Sequence, residues 1–218
     1  MIWNLLPHVS ACIASDRVIL LDIRQDRYFE VPGALTSSVT QWLVATVPSE
    51  CPAALSALLS GTGVVRRGER GASILSTERL AVPGAWPVPE PTPVAMPLGE
   101  LTRLVVIVLA TWLSLRLFPL EHVLARHRHR SAAARPACDL AGRAAGFNRA
   151  RRLVPVTPNC LLDSLALDRW LGGRGTGRRL VLGVAARPFA AHCWLQSDSM
   201  LLNDSYDRVS RYTPILAL

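Results

Sequence analysis

A thiol, an imidazole and a carboxylate, the three groups that nucleophilic acyl chemistry combines, follow one another in the second half of the sequence as Cys160, His192 and Asp204. Cys160 comes directly after Thr157, Pro158 and Asn159. Thr157 can cap the free amides of a helix, and Pro158 suits the first helical position. A cysteine in the first turn meets unpaired N–H groups and the positive end of the helix dipole, which favour the thiolate. The same amides can hold the oxyanion of an acyl intermediate. Leu161, Leu162, Leu165 and Leu167 would anchor that helix in the core. The competing reading of Cys160 is a small buried core residue.

His192 falls in a strand-like segment, where His192 and Trp194 point to one side and Ala191 and Cys193 to the other. An imidazole titrating near neutrality suits the base that a cysteine nucleophile needs. A lone histidine of this kind is more often structural. Asp204 closes the next segment, after Leu201, Leu202 and Asn203, from where its carboxylate could accept the second imidazole N–H and fix the tautomer. It could also simply satisfy a turn. Asp198 and Asp207 are placed less well, one in the expected turn and the other past the strand.

Two other clusters carry less chemistry. His122, His127 and His129 do not share one helical face and lack acidic or cysteine neighbours, so no metal is expected. Gly172, Gly173, Gly175 and Gly177 interleave with Arg174 and Arg178, but no strand leads through them into a helix, as a phosphate loop requires. They read as a flexible loop whose arginines could meet an acidic peptide.

The elements that must carry these residues differ between the two halves of the chain. Prolines at 83, 87, 89, 91, 93 and 97 remove donors and fix backbone angles, so residues 83–98 read as a linker between a unit at 1–82 and another at 99–218. In the first unit, Arg17–Ile23 and Arg27–Val31 predict a hairpin turning at Arg24, Gln25 and Asp26. Leu35, Val39, Trp42, Leu43 and Thr46 predict a helix over Ala34–Val47 with one buried face. Ser49–Ser60 predicts a second helix, and Val64–Arg67 with Ser73–Leu75 a small ribbon. In the second unit, helices are expected over 99–118, 120–132 and 136–150 and from near Asn159, then strands over Arg179–Ala185, Ala191–Gln196 and Met200–Asn203, with a turn at Ser197–Ser199. Helices followed by strands make an α+β domain with an antiparallel sheet.

Composition narrows the setting. The 218 residues, 50% hydrophobic, suffice for a packed core and argue against disorder throughout. Every one of the 24 basic residues is an arginine, and residues 99–218 hold seventeen of them against eight acids, so the net charge of +8 is concentrated there. Such a surface favours acidic partners; with no nucleic-acid motif, nucleic acid is not expected among them. The odd number of cysteines, five, without a CxxC pair indicates neither a disulfide framework nor a zinc finger, and a reducing compartment fits best. Met1–Ile13 lacks a basic start and is broken by Asn4, Pro7 and His8, unlike a secretory signal. The apolar run Leu104–Leu115, bounded by Arg103 and Arg116, falls short of the roughly twenty residues a bilayer span needs. It reads as a buried or amphipathic helix, with an interfacial helix as the alternative. A cytoplasmic chain is expected.

The stretches "NCLLDSLALDRWL", "LVLGVAARPFAAHCWLQ" and "LLNDSYDRVSRYTPIL" resemble the B-protein family of lasso-peptide biosynthesis, leader peptidases of the transglutaminase-like cysteine protease superfamily. The likeness covers about residues 99–218 and is most specific in the Pro-Phe-x-Ala-His and Leu-Asn-Asp elements. It implies a triad of Cys160, His192 and Asp204, no cofactor, a precursor leader peptide as substrate, and an asparagine-synthetase-like macrolactam cyclase as partner. The first 80 or so residues more weakly resemble the small winged-helix element that binds precursor leaders in this family. That implies a leader strand added at the Val18–Val31 hairpin and a groove beside Ala34–Val47, with individual contact residues left open. This chain has Cys193 where many relatives have alanine, and Gln196 where an acid is common.

Overall fold

The computed structural model describes residues 3–44, 65–67, 80–83, 96–130, 140–172 and 177–218. The chain divides into two compact units. One comprises Met1–Ala81 with Gly183–Ala191 and Tyr212–Leu216, the other Val82–Leu182 with His192–Arg211 and Ala217–Leu218.

In the first unit, β1 (Trp3–Leu5) pairs antiparallel with β5 (Val65–Arg67). Three further strands, β2 (Val9–Ala14), β3 (Arg17–Asp22) and β4 (Arg27–Glu30), form an antiparallel sheet in that order. Ser15 and Asp16 both take positive φ, 46° and 63°, in the two-residue turn between β2 and β3, matching the twist a tight hairpin requires. The Asp22 carboxylate accepts the N–H groups of Arg24 (2.9 Å) and Gln25 (3.1 Å), which shapes the β3–β4 turn. Val9, Ala11, Val18 and Leu20 from the sheet bury against Val39, Trp42 and Leu43 of α1 (Gly33–Val44). A three-stranded sheet under one helix fits the winged-helix-like expectation. The expected hairpin is β3–β4 and the expected helix is α1. β2, whose small residues carry little β signal, extends the hairpin to three strands. The predicted helix over Ser49–Ser60, the strand Ser73–Leu75 and Val47 lie outside the described residues.

The second unit holds four helices: α2 (Leu98–Leu117), α3 (Leu120–Arg130), α4 (Leu140–Arg151) and α5 (Cys160–Leu171). Leu104, Val108 and Thr111 are fully buried on α2 at helical spacing. The Thr111 hydroxyl oxygen accepts from the Arg169 guanidinium of α5 at 2.8 Å, so this stripe is fastened to the helix that starts at Cys160. At the same end of α5, Arg143 of α4 donates to the Trp170 carbonyl (2.8 Å), and the Trp170 indole donates to the Arg143 carbonyl (3.2 Å). α2 is twenty residues long, eight more than the apolar run alone, because residues 98–103 and 116–117 continue the helix. By length and composition it could cross a bilayer; it leaves Leu98, Val106, Leu109, Leu113 and Leu117 exposed.

β6 (Arg179–Ala186), β7 (Phe189–Gln196) and β8 (Thr213–Ala217) form a sheet in the order β7-β6-β8, and a four-residue helix, α6 (Tyr206–Val209), precedes β8. Here the sequence expectation needs correction. Met200–Asn203 is not a strand: it makes one isolated antiparallel bridge, Gln196 with Leu201. The third strand is β8, which joins β6 through reciprocal Leu180 and Leu218 bonds of 2.9 Å each. Pro214 hides β8 in a sequence reading, but an edge strand tolerates a missing donor. Helix and antiparallel sheet together give the α+β class predicted.

Candidate active site

α5 places the thiol. Its cap is Asn159, not Thr157: the Asn159 side-chain oxygen accepts from the N–H groups of Leu161 (3.1 Å) and Leu162 (3.2 Å), so Cys160 is the first helical residue. Thr157 lies too far upstream to reach those amides, and its carbonyl accepts from Arg151 at 3.5 Å. Arg151, buried at the end of α4, also holds the Val156 carbonyl (3.0 Å) and pairs with Asp163 on α5 at 2.6 Å. One guanidinium thus pins the loop 154–157 to the helix it feeds. The N–H of Cys160, first in its helix, has no carbonyl one turn back to bond.

β7 places the imidazole. His192 is buried, and its ring stacks against that of Trp194, two residues on and on the same side of the strand, with centroids 6.1 Å apart. The Trp194 indole is itself fixed by donating to the Gln196 side-chain oxygen at 2.7 Å. Asp204 stands in the bend after the Leu201 bridge. Its Oδ2 lies 2.5 Å from His192 Nε2, and its Oδ1 accepts the Ser205 N–H at 2.8 Å. With Nε2 engaged by Asp204, Nδ1 is the ring nitrogen left for the Cys160 sulfur, with which His192 is hydrogen-bonded.

The electrostatics follow from these contacts. Burial alone would raise the Cys160 pKa; hydrogen bonds from His192 and the Cys193 N–H, the imidazolium charge and the Leu161 N–H outweigh it and leave the thiol below its usual range. Burial alone would likewise lower the His192 pKa, but hydrogen bonding to Asp204 and Cys160 and their charges push it up to about 9. Asp204 is held below its usual range, since His192, the Ser205 N–H and the Arg208 charge together exceed the cost of burial. Arg208 Nε is 4.0 Å from Asp204 Oδ2. Cys193, on the opposite side of β7, is different in kind: burial first, then the neighbouring Cys160 charge, push its thiol far upward, leaving it a neutral core residue.

The structure therefore brings together Cys160, His192 and Asp204 and leaves Asp198 and Asp207 out. Asp198 pairs with Arg179 at 3.3 Å. A thiolate–imidazolium pair backed by a carboxylate can attack a carbonyl, protonate a leaving amine and then activate a second nucleophile. Over residues 103–217 the sequence matches the model of the transglutaminase-like superfamily. The chain belongs to the transglutaminase-like superfamily. That membership is compatible with a cysteine protease or an acyltransferase. No curated protein and no solved structure matches the chain.

Elsewhere, His127 Nδ1 lies 3.4 Å from Asp168, which also accepts from Arg178 at 3.0 Å. Arg178 is thereby drawn into an ion pair instead of facing a peptide, while Arg174 lies outside the described residues. Among the described residues, no group of His, Cys, Asp and Glu side chains is arranged to hold a metal ion. Sequence reasoning passed over Asn159, Arg151, Ser164 and Asn203. Asn159 had a signal, since asparagine caps helices better than threonine; Arg151 had none because its contacts need the loop 154–157 to fold back on the helix before it, and Ser164 had none because it meets Cys193 and Asn203, 29 and 39 residues away.

Proposed function

We propose that this chain is a cysteine endopeptidase that removes the leader from a ribosomally made lasso-peptide precursor, in the cytoplasm. One observation carries the reading: within the stretch that resembles leader peptidases, a single imidazole is bonded both to the Cys160 thiol and, at 2.5 Å, to Asp204. In the mechanism this supports, the Cys160 thiolate attacks the carbonyl carbon at the leader–core junction. The Cys160 N–H at the start of α5 is available to the oxyanion. His192 gives its proton to the departing core amine, leaving the leader as a thioester on Cys160. Water, deprotonated by His192, then attacks the thioester, releasing the leader acid and restoring the thiol. Asp204 keeps the imidazole oriented and its positive charge stabilised throughout.

The first unit would hold the leader. Among the described residues β4 pairs only with β3, so an extended peptide could add at that edge, its side chains lying toward α1. The freed core amine would pass to a partner that activates an Asp or Glu side chain with ATP and closes a macrolactam. A short precursor gene and an asparagine-synthetase-like gene beside this one would support that pathway.

Superfamily membership favours one rival, an acyltransferase in which an amine resolves the thioester. Product masses separate the two. Hydrolysis gives two fragments that sum to the precursor plus one water; a released core beside a leader that carries the amine in place of a free acid overturns the peptidase reading. Cleavage by neither route, with the leader still bound, would instead make the chain a binding scaffold.

A further inference from the structure

Three backbone segments carry the reactive side chains, and one buried hydroxyl lies within reach of all three. Ser164, fully buried on α5, directs its proton between the carbonyl of Cys160 (2.7 Å) and that of Cys193 (3.2 Å), the residue after His192. Its oxygen accepts the side-chain amide of Asn203, the residue before Asp204, at 2.8 Å. The other end of that amide, Asn203 Oδ1, accepts the Leu195 N–H of β7 at 2.8 Å. One residue earlier the contact is a normal ladder bond, Leu202 N–H to the Leu195 carbonyl at 2.9 Å. Asn203 therefore substitutes a side-chain carbonyl for the next backbone acceptor. The main chain is freed to leave the sheet there and turn Asp204 onto His192. Asn148 of α4 fixes the same segment by donating to the Leu202 carbonyl at 2.8 Å.

We propose that Ser164 and Asn203 form a positioning device, a hydroxyl and an amide that lock the segments bearing Cys160, His192 and Asp204 into one geometry. The idea rests on the catalytic reading of those three residues. Without the device, Asp204 is no longer held against His192, the imidazolium loses its carboxylate, and the thiolate loses part of its counter-charge. Buried polar groups that only help the chain fold would lower stability without this electrostatic consequence.

The test is the pH dependence of Cys160 alkylation by iodoacetamide, followed by mass spectrometry of the Cys160 peptide in the full chain, which needs no substrate. Wild type should titrate below an ordinary thiol. Asn203→Ala should move the midpoint up by about one pH unit, and Ser164→Ala, alanine being benign in a helix, by about half a unit. If the two act as one device, the double variant moves no further than Asn203→Ala alone. Val108→Ala, which empties a buried site on α2, should lower Tm and leave the midpoint where it is. Unmoved midpoints in folded Ser164→Ala and Asn203→Ala, or additive shifts in the double variant, overturn the proposal. If Asn203→Ala fails to fold, an unmoved midpoint in Ser164→Ala does so alone. A wild-type thiol that titrates in the ordinary range would instead sink the catalytic reading itself.

Discussion

At the scale of single residues, Cys160, His192 and Asp204 share one hydrogen-bonded chain. Because the Cys160 pKa is lowered and that of His192 is raised to about 9, the thiolate–imidazolium pair exists between those two limits. Cleavage should therefore rise with pH as Cys160 ionises and fall as His192 loses its proton near pH 9. Asp204→Asn removes the charge that supports the imidazolium, so the alkaline limb should retreat toward about 6.5, the ordinary histidine value; a limb that stays in place would deny Asp204 this role. Stability follows the same groups. His192 has a raised folded pKa, so its contribution is complete below the unfolded value and is lost as pH rises through about 9. Asp204 has a lowered one, so its contribution is present above the usual carboxylate range and disappears on acidification. Thermal unfolding across pH should show both losses in wild type and a weaker alkaline loss in Asp204→Asn. The three residue identities were legible because acyl chemistry uses few side-chain types. Their approach was expected with Asp204 at the end of a paired strand; what the sequence did not show is that pairing stops at the Leu201 bridge and that the Asn203 side chain takes the next N–H.

At the scale of elements, α5 is held from three directions: by its Asn159 cap, by Arg151 from α4 and by the buried stripe of α2. Asn159→Ala should cost about 1 kcal/mol in chemical denaturation, the usual worth of such a cap. Arg151→Ala should cost more, about 3 kcal/mol, because Asp163 and three loop carbonyls lose a buried partner. Equal losses for the two would mean that the loop before Cys160 is held by something other than the guanidinium. α2 offers a sharper contrast. Leu104→Ala, on its buried side, should lose about 2–5 kcal/mol, whereas Leu109→Ser, on its exposed side, should stay within about 0.5 kcal/mol. Helix positions in this half were readable from periodicity, and α2, α3 and α5 start within a residue or two of the expected places. Strands were harder. A strand of small residues (β2), one carrying Pro214 (β8) and a false one at Met200–Asn203 all confuse a reading based on β propensity, which reflects packing more than backbone preference.

For the molecule as a whole, charge and division of labour matter most. Seventeen arginines against eight acids in residues 99–218 give that half a field that attracts acidic peptides. An acidic peptide that runs along that half should bind less tightly as salt is added, and a leader affinity indifferent to salt would confine recognition to residues 1–82, where seven arginines and seven acids balance. The mixed helix-and-sheet class was visible from the order of patterns along the chain; the way Gly183–Ala191 and Tyr212–Leu216 group with the N-terminal residues was not, because that grouping is a property of contacts far apart in sequence. If one unit binds the leader and the other cuts it, binding and chemistry are separable. The decisive measurement is precursor processing by Cys160→Ala beside wild type, with leader affinity recorded for both. Cleavage should vanish in the variant while affinity stays within about twofold of wild type; a variant that still cuts would contradict the assignment of Cys160 as the nucleophile.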